Sequence, residues 1–347
     1  VLHGDRLNGR FALVRMKGRG KGKENWLLIK SRDEHVRSAA AEADTPARSV
    51  ARRPAKARVE SNGKPPRGGV AVTNPDKILF PDAGITKGEV VEYYRKVAKR
   101  LLPFLKDRPV TLERLPDGLG PGKPHFWQKN TPESYPAWVP RVEFETERGK
   151  PVRYVLVNDA PTLLYLVNQG TLTFHPWLSR VDDLDRPDFV LFDLDPGAAS
   201  FGDAVAVARK LHDILEAEGV EAFVKTSGKT GLHVLVPWKS AGDFDAARNW
   251  AAGVAGRVAE ALPDVATTEI RKAKRHGRVY VDVMQNARGH HAVPPYVLRA
   301  VPGAPASTPL HWRELTDDLD PARFNLRTVP ARIARQKRDP MAPLLRR

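Results

Sequence analysis

The sequence predicts a mixed α/β fold in which a largely antiparallel sheet is flanked by helices, and three features carry that reading. Strand-like and helical runs alternate irregularly, with many hairpin-like neighbours. One helix, beginning near residue 87, is marked both by its cap and by its apolar spacing. The apolar run FVLFDL, residues 189–194, leads into Asp195, Pro196 and Gly197, the pattern of a buried strand entering a turn.

Taken in order, Thr86 and Glu89 have capping-box spacing. Val90, Tyr94, Val97, Leu101 and Leu105 then recur at helical intervals, so a helix is expected over about 87–105. Strands are expected near 109–114, 125–129 and 152–158, and a short helix near 160–169. Ser200 and Asp203 cap a helix running to about Gly219. A strand, glycine turn and strand follow at about 221–237, then a helix near 243–261, a strand pair around 278–298 and a last helix near 329–336. Ahead of all this, FALVRM and WLLIK alternate apolar and polar and read as two strands joined by a basic loop. Residues 34–70, rich in Ala, Arg, Lys, Pro and Gly, read as a disordered linker, so the main domain is expected over 71–338 with a basic tail at 339–347.

The 347 residues, 41% of them hydrophobic, suffice for a large core. No apolar run is long enough to span a membrane and no signal peptide opens the chain, so a cytoplasmic protein is expected. The absence of cysteine excludes disulfides, thiolate zinc sites and a cysteine nucleophile, leaving carboxylates and imidazoles as metal ligands. A net charge of +16 favours polyanionic partners, nucleic acid first. About +10 of it lies in residues 1–70, so it says little about the main domain.

The chemistry is expected at acidic residues. Asp193 and Asp195 lie two apart at a strand end, which puts both carboxylates on one face, and Mg²⁺ or Mn²⁺ would relieve their repulsion. The same pair could serve as a turn and helix cap, so the metal reading needs a third ligand. Asp282, among apolar residues of RVYVDVMQN, needs a partner. It is either that ligand or one half of a salt bridge to a cation of the 271–278 cluster RKAKRHGR. In KTSGKTGLHVLVP a glycine turn, Ser227 to Gly231, precedes a strand bearing His233. Its backbone N–H groups could cradle phosphate, with Lys225 and Lys229 as fixed positive charges. The GxxxxGK[ST] spacing is absent and a strand follows, which excludes a Walker ATPase. His233 is either a core residue or a triphosphate contact, and Phe126 with Trp127, beside Lys129, is either core or a stacking surface.

Together TNPDKILFP, FDLDPG, KTSGKTGLHV, RVYVDVMQNARG and APASTPL resemble the polymerase domain of bacterial ligase D, of the archaeo-eukaryotic primase superfamily, across roughly residues 71–335. The resemblance implies a primase-polymerase fold and a template-directed polymerase that fills gaps and extends broken DNA ends in non-homologous end joining. Its implied partners are DNA ends, gapped duplex, the end-binding protein Ku, and ligase and phosphoesterase domains in cis or in trans. It places two Mn²⁺ or Mg²⁺ ions on Asp193, Asp195 and Asp282, and a downstream 5′-phosphate on Lys77 and Lys87. It places the nucleoside triphosphate among Phe126, Trp127, His175, Ser227, Gly228, Lys229, Thr230, His233, Arg275, Gln285 and Arg299. The family more often reads SG[GS]KGxH, whereas this chain has Lys229 one position early and Thr230 in the lysine slot. Residues 1–33 resemble the last strands of the 3′-phosphoesterase domain that accompanies the polymerase, without its histidine-rich catalytic part. The alternatives are a stand-alone primase and a noncatalytic end-bridging module.

Overall fold

A computed structural model describes residues 57–66, 69–145 and 151–345, together with the pairing of four strands in the first thirty residues. The chain divides into two units, residues 1–53 and 54–347. In the first, β1 (Leu2–His3) pairs with β2 (Asn8–Gly9), and β3 (Phe11–Met16) with β4 (Asn25–Lys30), both antiparallel. The second pair is the hairpin that the FALVRM and WLLIK alternation predicts.

The second unit holds two sheets. The first contains β5 (Arg58–Glu60), β8 (Val110–Arg114), β9 (Phe126–Gln128), β10 (Arg141–Glu145), β11 (Pro151–Val155) and β12 (Thr171–Pro176). Its order is β12-β8-β11-β10-β5, with β9 also on β8, and all pairs are antiparallel. The expected linker is therefore shorter on this side, because Arg58–Glu60 completes the edge of that sheet beside β10. Residues 34–56 lie outside the described residues. A small ribbon, β6 (Ile78–Phe80) with β7 (Ile85–Thr86), leads into α1 (Lys87–Leu105). Thr86 and Glu89 close the capping box there, with Glu89 N–H to Thr86 Oγ1 at 3.2 Å and Thr86 N–H to Glu89 Oε2 at 2.8 Å. α2 (Ala160–Asn168) packs on α1.

The second sheet carries the site. It comprises β13 (Phe189–Asp195), β14 (Phe223–Thr226), β15 (Leu232–Pro237), β16 (Ala266–Thr267), β17 (Val279–Asp282) and β18 (Pro309–Leu310) in the order β16-β17-β13-β15-β14-β18. Only β16 with β17 is parallel. Helices α3 (Phe201–Ala217) and α4 (Phe244–Ala261) cover one face. Strand alternation sends Phe192 onto Trp250 of α4, ring centroids 6.0 Å apart, and Asp193 and Asp195 to the other face. α5 (Val329–Arg335) packs against α1.

Two expectations are corrected. The strand pair around 278–298 forms only its first strand. Pro294 and Pro295 offer no N–H to a ladder, and the segment is pinned instead by Asn286, which exchanges hydrogen bonds of 2.8 and 2.7 Å with Leu191 N–H and C=O. The expected tail is part of the core as far as residue 345. Asp339 accepts Met341 N–H at 2.9 Å and pairs with Arg100 at 3.9 Å, turning the chain so that Met341 and Leu344 are buried.

Candidate active site

Antiparallel register across the second sheet sets one row of side chains: Asp193 opposite Asp282 on one side and His233 on the other, with Lys225 beyond His233. Asp195, two residues on, shares their face of the sheet and lies opposite Tyr280. The three aspartates expected to act together therefore meet on neighbouring strands. None of the cations before Asp282 pairs with it. Asp282 Oδ1 instead accepts from Met284 N–H at 2.7 Å and Tyr280 Oη at 3.3 Å.

Burial first, then the Asp282 and Asp195 carboxylates, push the Asp193 carboxyl up to about 7, against Lys225 and Arg299, which pull it down. A carboxyl raised by burial, with two more carboxylates beside it, belongs to an all-oxygen donor set suited to Mg²⁺ or Mn²⁺. The side chains as they stand do not close on one point, and among the described residues no group of three His, Asp or Glu is arranged to hold an ion. Each carboxylate is turned to another partner: Asp195 to Arg275 Nη1 at 3.1 Å, Asp282 to its own turn, and Asp193 to His233 Nε2 at 3.5 Å.

Lys225 was the feature the sequence misread. It is fully buried rather than a fixed positive charge open to phosphate, and burial first, then Arg299, lowers its ammonium pKa well below the usual lysine value. Its Nζ reaches Ser307 Oγ at 2.7 Å and His233 Nδ1 at 2.8 Å. With Lys225 as donor to Nδ1, the His233 proton sits on Nε2 and faces Asp193. Pairing the two strands through the glycine turn would have brought Lys225 to His233 from sequence alone.

The glycine turn is closed rather than open at two of its N–H groups: Ser227 Oγ accepts from both Lys229 and Gly231 N–H at 3.1 Å. Gly228 has φ +75°, and a Cβ there would stand 2.7 Å from Arg299 Cγ and 2.8 Å from Ser307 N. Arg299 Nη1 donates to Ser227 C=O at 2.7 Å, and its guanidinium lies close enough to Lys229 to lower that ammonium further, after burial. Lys229 and Thr230 both stand exposed on the rim of a pocket of about 610 Å³, opposite Pro196 and Gly197.

Phe126 and Trp127 are 40% and 50% exposed, which decides against the core reading. Trp127 lies 4.5 Å, centroid to centroid, from the buried His175 ring. Among the described residues the nearest carboxylate to His175 Nε2 is Glu113, at 3.6 Å, just beyond hydrogen-bond length, and sequence reasoning missed Glu113. Burial raises the Glu113 carboxyl, but His175, Thr173 and His125 around it win and hold it at about 2. Arg275 belongs to the aspartates rather than to the glycine turn, anchored by the Glu269 and Ile270 carbonyls and lying 4.0 Å over the Tyr280 ring. Gln285 is half-buried and makes no side-chain hydrogen bond among the described residues. Lys77 and Lys87 meet where the ribbon enters α1: Lys87 N–H donates to Lys77 C=O at 2.7 Å, and burial first, then Lys77, lowers the Lys87 ammonium. Lys77 is ion-paired with Asp117, and Lys87 Nζ donates to Thr73 Oγ1 at 3.0 Å.

An antiparallel sheet with clustered aspartates on one face and a serine- and glycine-closed turn beside them defines the class of primase-polymerase-like domains. Residues 86–341 match the family model described as LigD, primase-polymerase domain, and the chain belongs to that family. It is 32% identical over 267 residues, 76% of this chain, to the multifunctional non-homologous end joining protein LigD of Pseudomonas aeruginosa. It is 32% identical over 282 residues, 81% of this chain, to the bifunctional LigD of Bacillus subtilis. It spans 31% and 45% of the length of those relatives. Among solved structures it is similar to the polymerase domain of Mycobacterium tuberculosis ligase D in complex with DNA, with a TM-score of 0.74 and 30% identity over 80% of this chain and 98% of that one. No helix among the described residues is long and apolar enough to cross a membrane.

Proposed function

We propose that the chain is a template-directed nucleotidyltransferase that adds nucleotides to 3′ ends and fills gaps at DNA breaks, working in bacterial non-homologous end joining. The observation that carries this reading is the direct opposition of Asp193 and Asp282, with Asp195 beside them and the Asp193 carboxyl raised. Family membership and the likeness to a DNA-bound polymerase domain support it.

Asp193, Asp195 and Asp282 would hold the divalent ions. When bound, Mg²⁺ or Mn²⁺ supplies counter-charge for the triphosphate and lowers the pKa of the primer 3′-hydroxyl. The chain's own groups do the rest. Arg299, Lys229 and Thr230 bind triphosphate oxygens, Ser227 holds the shape of the turn, and Lys225 fixes the ring of His233 against Asp193. Trp127 and Phe126 stack on a base, with His175 behind Trp127. Lys77 and Lys87 receive the 5′-phosphate of a downstream strand. Its partners are then DNA ends and gapped duplex, Ku, and ligase and phosphoesterase activities in cis or in trans, in the cytoplasm at the nucleoid.

The test is primer extension on a gapped duplex with Mn²⁺ and labelled ribonucleotides. Incorporation opposite the template supports the reading; DNA binding without incorporation would leave the end-bridging module, and synthesis without a primer the primase. On the same substrate, Lys77→Gln with Lys87→Gln should remove the preference for a downstream 5′-phosphate, a loss of about tenfold for ~1.5 kcal/mol of charge-assisted hydrogen bonding. Equal losses with and without the phosphate would point to general electrostatics. Trp127→Ala should cost ~1–3 kcal/mol of nucleotide or template affinity while the melting temperature barely moves, because the ring is half exposed. A large drop in melting temperature would instead make Trp127 structural.

A further inference from the structure

The second sheet ends at β18, and ~14 Å of strand spacing separates β18 from β13 and its aspartates. Beyond that edge lies a cleft of about 680 Å³ whose walls include Arg313, Glu314, Arg332, Arg335, Lys337 and Arg338. Four of its five cations, Arg313, Arg335, Lys337 and Arg338, are exposed and form no ion pair or side-chain hydrogen bond among the described residues. Several surface arginines elsewhere are matched locally, as in Arg95 with Glu92, Arg186 with Asp183, Arg248 with Asp245 and Arg288 with Asp185, whereas Arg271 is exposed without such a match among the described residues. The one carboxylate in the cleft is already committed: Glu314 takes Arg332 Nη2 at 2.7 Å and His311 N–H at 2.8 Å.

The cleft is also held in shape. Arg332 donates to Pro309 C=O on β18 at 3.2 Å and lies 5.3 Å over the Phe324 ring. Arg100 donates to Gln336 C=O at 3.1 Å and pairs with the buried Asp339, so the segment bearing Lys337 and Arg338 is fastened at both ends. A cation in the last turn of α5 would by itself be accounted for by the helix dipole, which covers Arg335. That account does not extend to Arg313, Lys337 or Arg338, which come from outside the helix.

We infer that this cleft is a second DNA-binding surface, which receives the phosphate backbone of duplex away from the primer end. Unpaired like charges converging on a fixed concavity repel one another until a polyanion enters, and release of the counterions around DNA rewards that entry. The choice of duplex rests on the polymerase reading above; the cleft itself does not.

The test is a salt titration of duplex binding by fluorescence anisotropy, using the whole chain, for the wild type, for Arg335→Gln/Lys337→Gln/Arg338→Gln, and for Arg95→Gln/Lys96→Gln/Lys99→Gln on the exposed face of α1. The cleft variant should lower the slope of log affinity against log salt by about 0.9 for each DNA phosphate it no longer neutralises, about two to three in all, with at least about a tenfold loss of affinity at 100 mM salt. Its kcat at saturating DNA should stay at the wild-type value. The α1 variant, with the same change in charge, should lose less than half as much slope. Arg313→Gln alone, with an unchanged melting temperature, should lose about 0.9 of slope and so guards against misfolding of the triple variant. An unchanged slope, or equal losses in the two triple variants, would overturn the inference. Poly-glutamate competing as well as duplex of equal charge would overturn it in favour of an acidic protein. A wild type that incorporates no nucleotide, with the slope loss intact, would remove the polymerase reading and leave this surface standing.

Discussion

Asp282→Asn should cut nucleotide incorporation by at least about 10³-fold, some 4 kcal/mol of barrier, while duplex affinity stays within about twofold. The substitution suits the site because an amide oxygen can still accept from Met284 N–H and Tyr280 Oη, so the turn after β17 keeps its hydrogen bonds. What it removes is charge at the position facing Asp193. If Asp282 were there only to hold its turn, the amide would do as well and incorporation would persist. Single-turnover extension, with a melting curve for each variant, separates the two, and activity within tenfold of wild type would take Asp282 out of the chemistry. Asp193→Ala should be equally inactive, again without loss of DNA binding.

The aspartates were legible because the period of a strand is local: Asp193 and Asp195 had to share a face wherever β13 went. Their direct opposition to Asp282 was not, since register between remote strands is set by tertiary pairing. The capped helices were readable to within two residues at each end, because caps and apolar spacing sit in the same stretch of chain. Residues 58–60 resisted reading for the opposite reason: three polar-flanked residues become a strand only because β10 offers them an edge. Lys225 was misjudged because both faces of β14 are buried, so no alternation betrayed where the ammonium pointed. Arg275 was placed among the triphosphate residues by the family resemblance, and nothing in its own stretch of chain says which partner holds it. Only the fold shows that two backbone carbonyls fix it on Asp195. Phe126 and Trp127 show the limit of composition, since an aromatic pair reads the same whether it faces the core or lies on the surface at 40% and 50% exposure.

A second large effect is expected without any nucleotide. In the presence of a chelator, Asp193→Asn should gain stability relative to wild type as pH rises from about 4 to about 7. The wild-type carboxyl has its pKa raised from 3.8 to about 7 in the folded chain. Between those values the folded state keeps a proton that the unfolded state has released, so raising the pH favours unfolding. Below 3.8 both states are protonated and above 7 both are ionised, so the difference changes only within that window. Three units would amount to about 4 kcal/mol, and with the Asp193 side chain still 32% open to solvent the expected change is on the order of 2–4 kcal/mol. Total stability does not isolate this contribution. Buried His175 and His233 and half-buried His291 have lowered pKa values, which favours folding as pH rises toward 6.5 and opposes the Asp193 trend. Both variants share those histidines, so the difference between them carries the contribution of Asp193 together with its contact to His233. Urea melts at pH 4.5, 6 and 7.5 measure it. Mn²⁺ at a hundred times its dissociation constant should then stabilise the wild type by ~2.7 kcal/mol at pH 7.5 and the Asn variant much less. A difference that stays flat across the window, or equal stabilisation of both proteins by Mn²⁺, would mean that the crowding of carboxylates around Asp193 is not what a cation relieves.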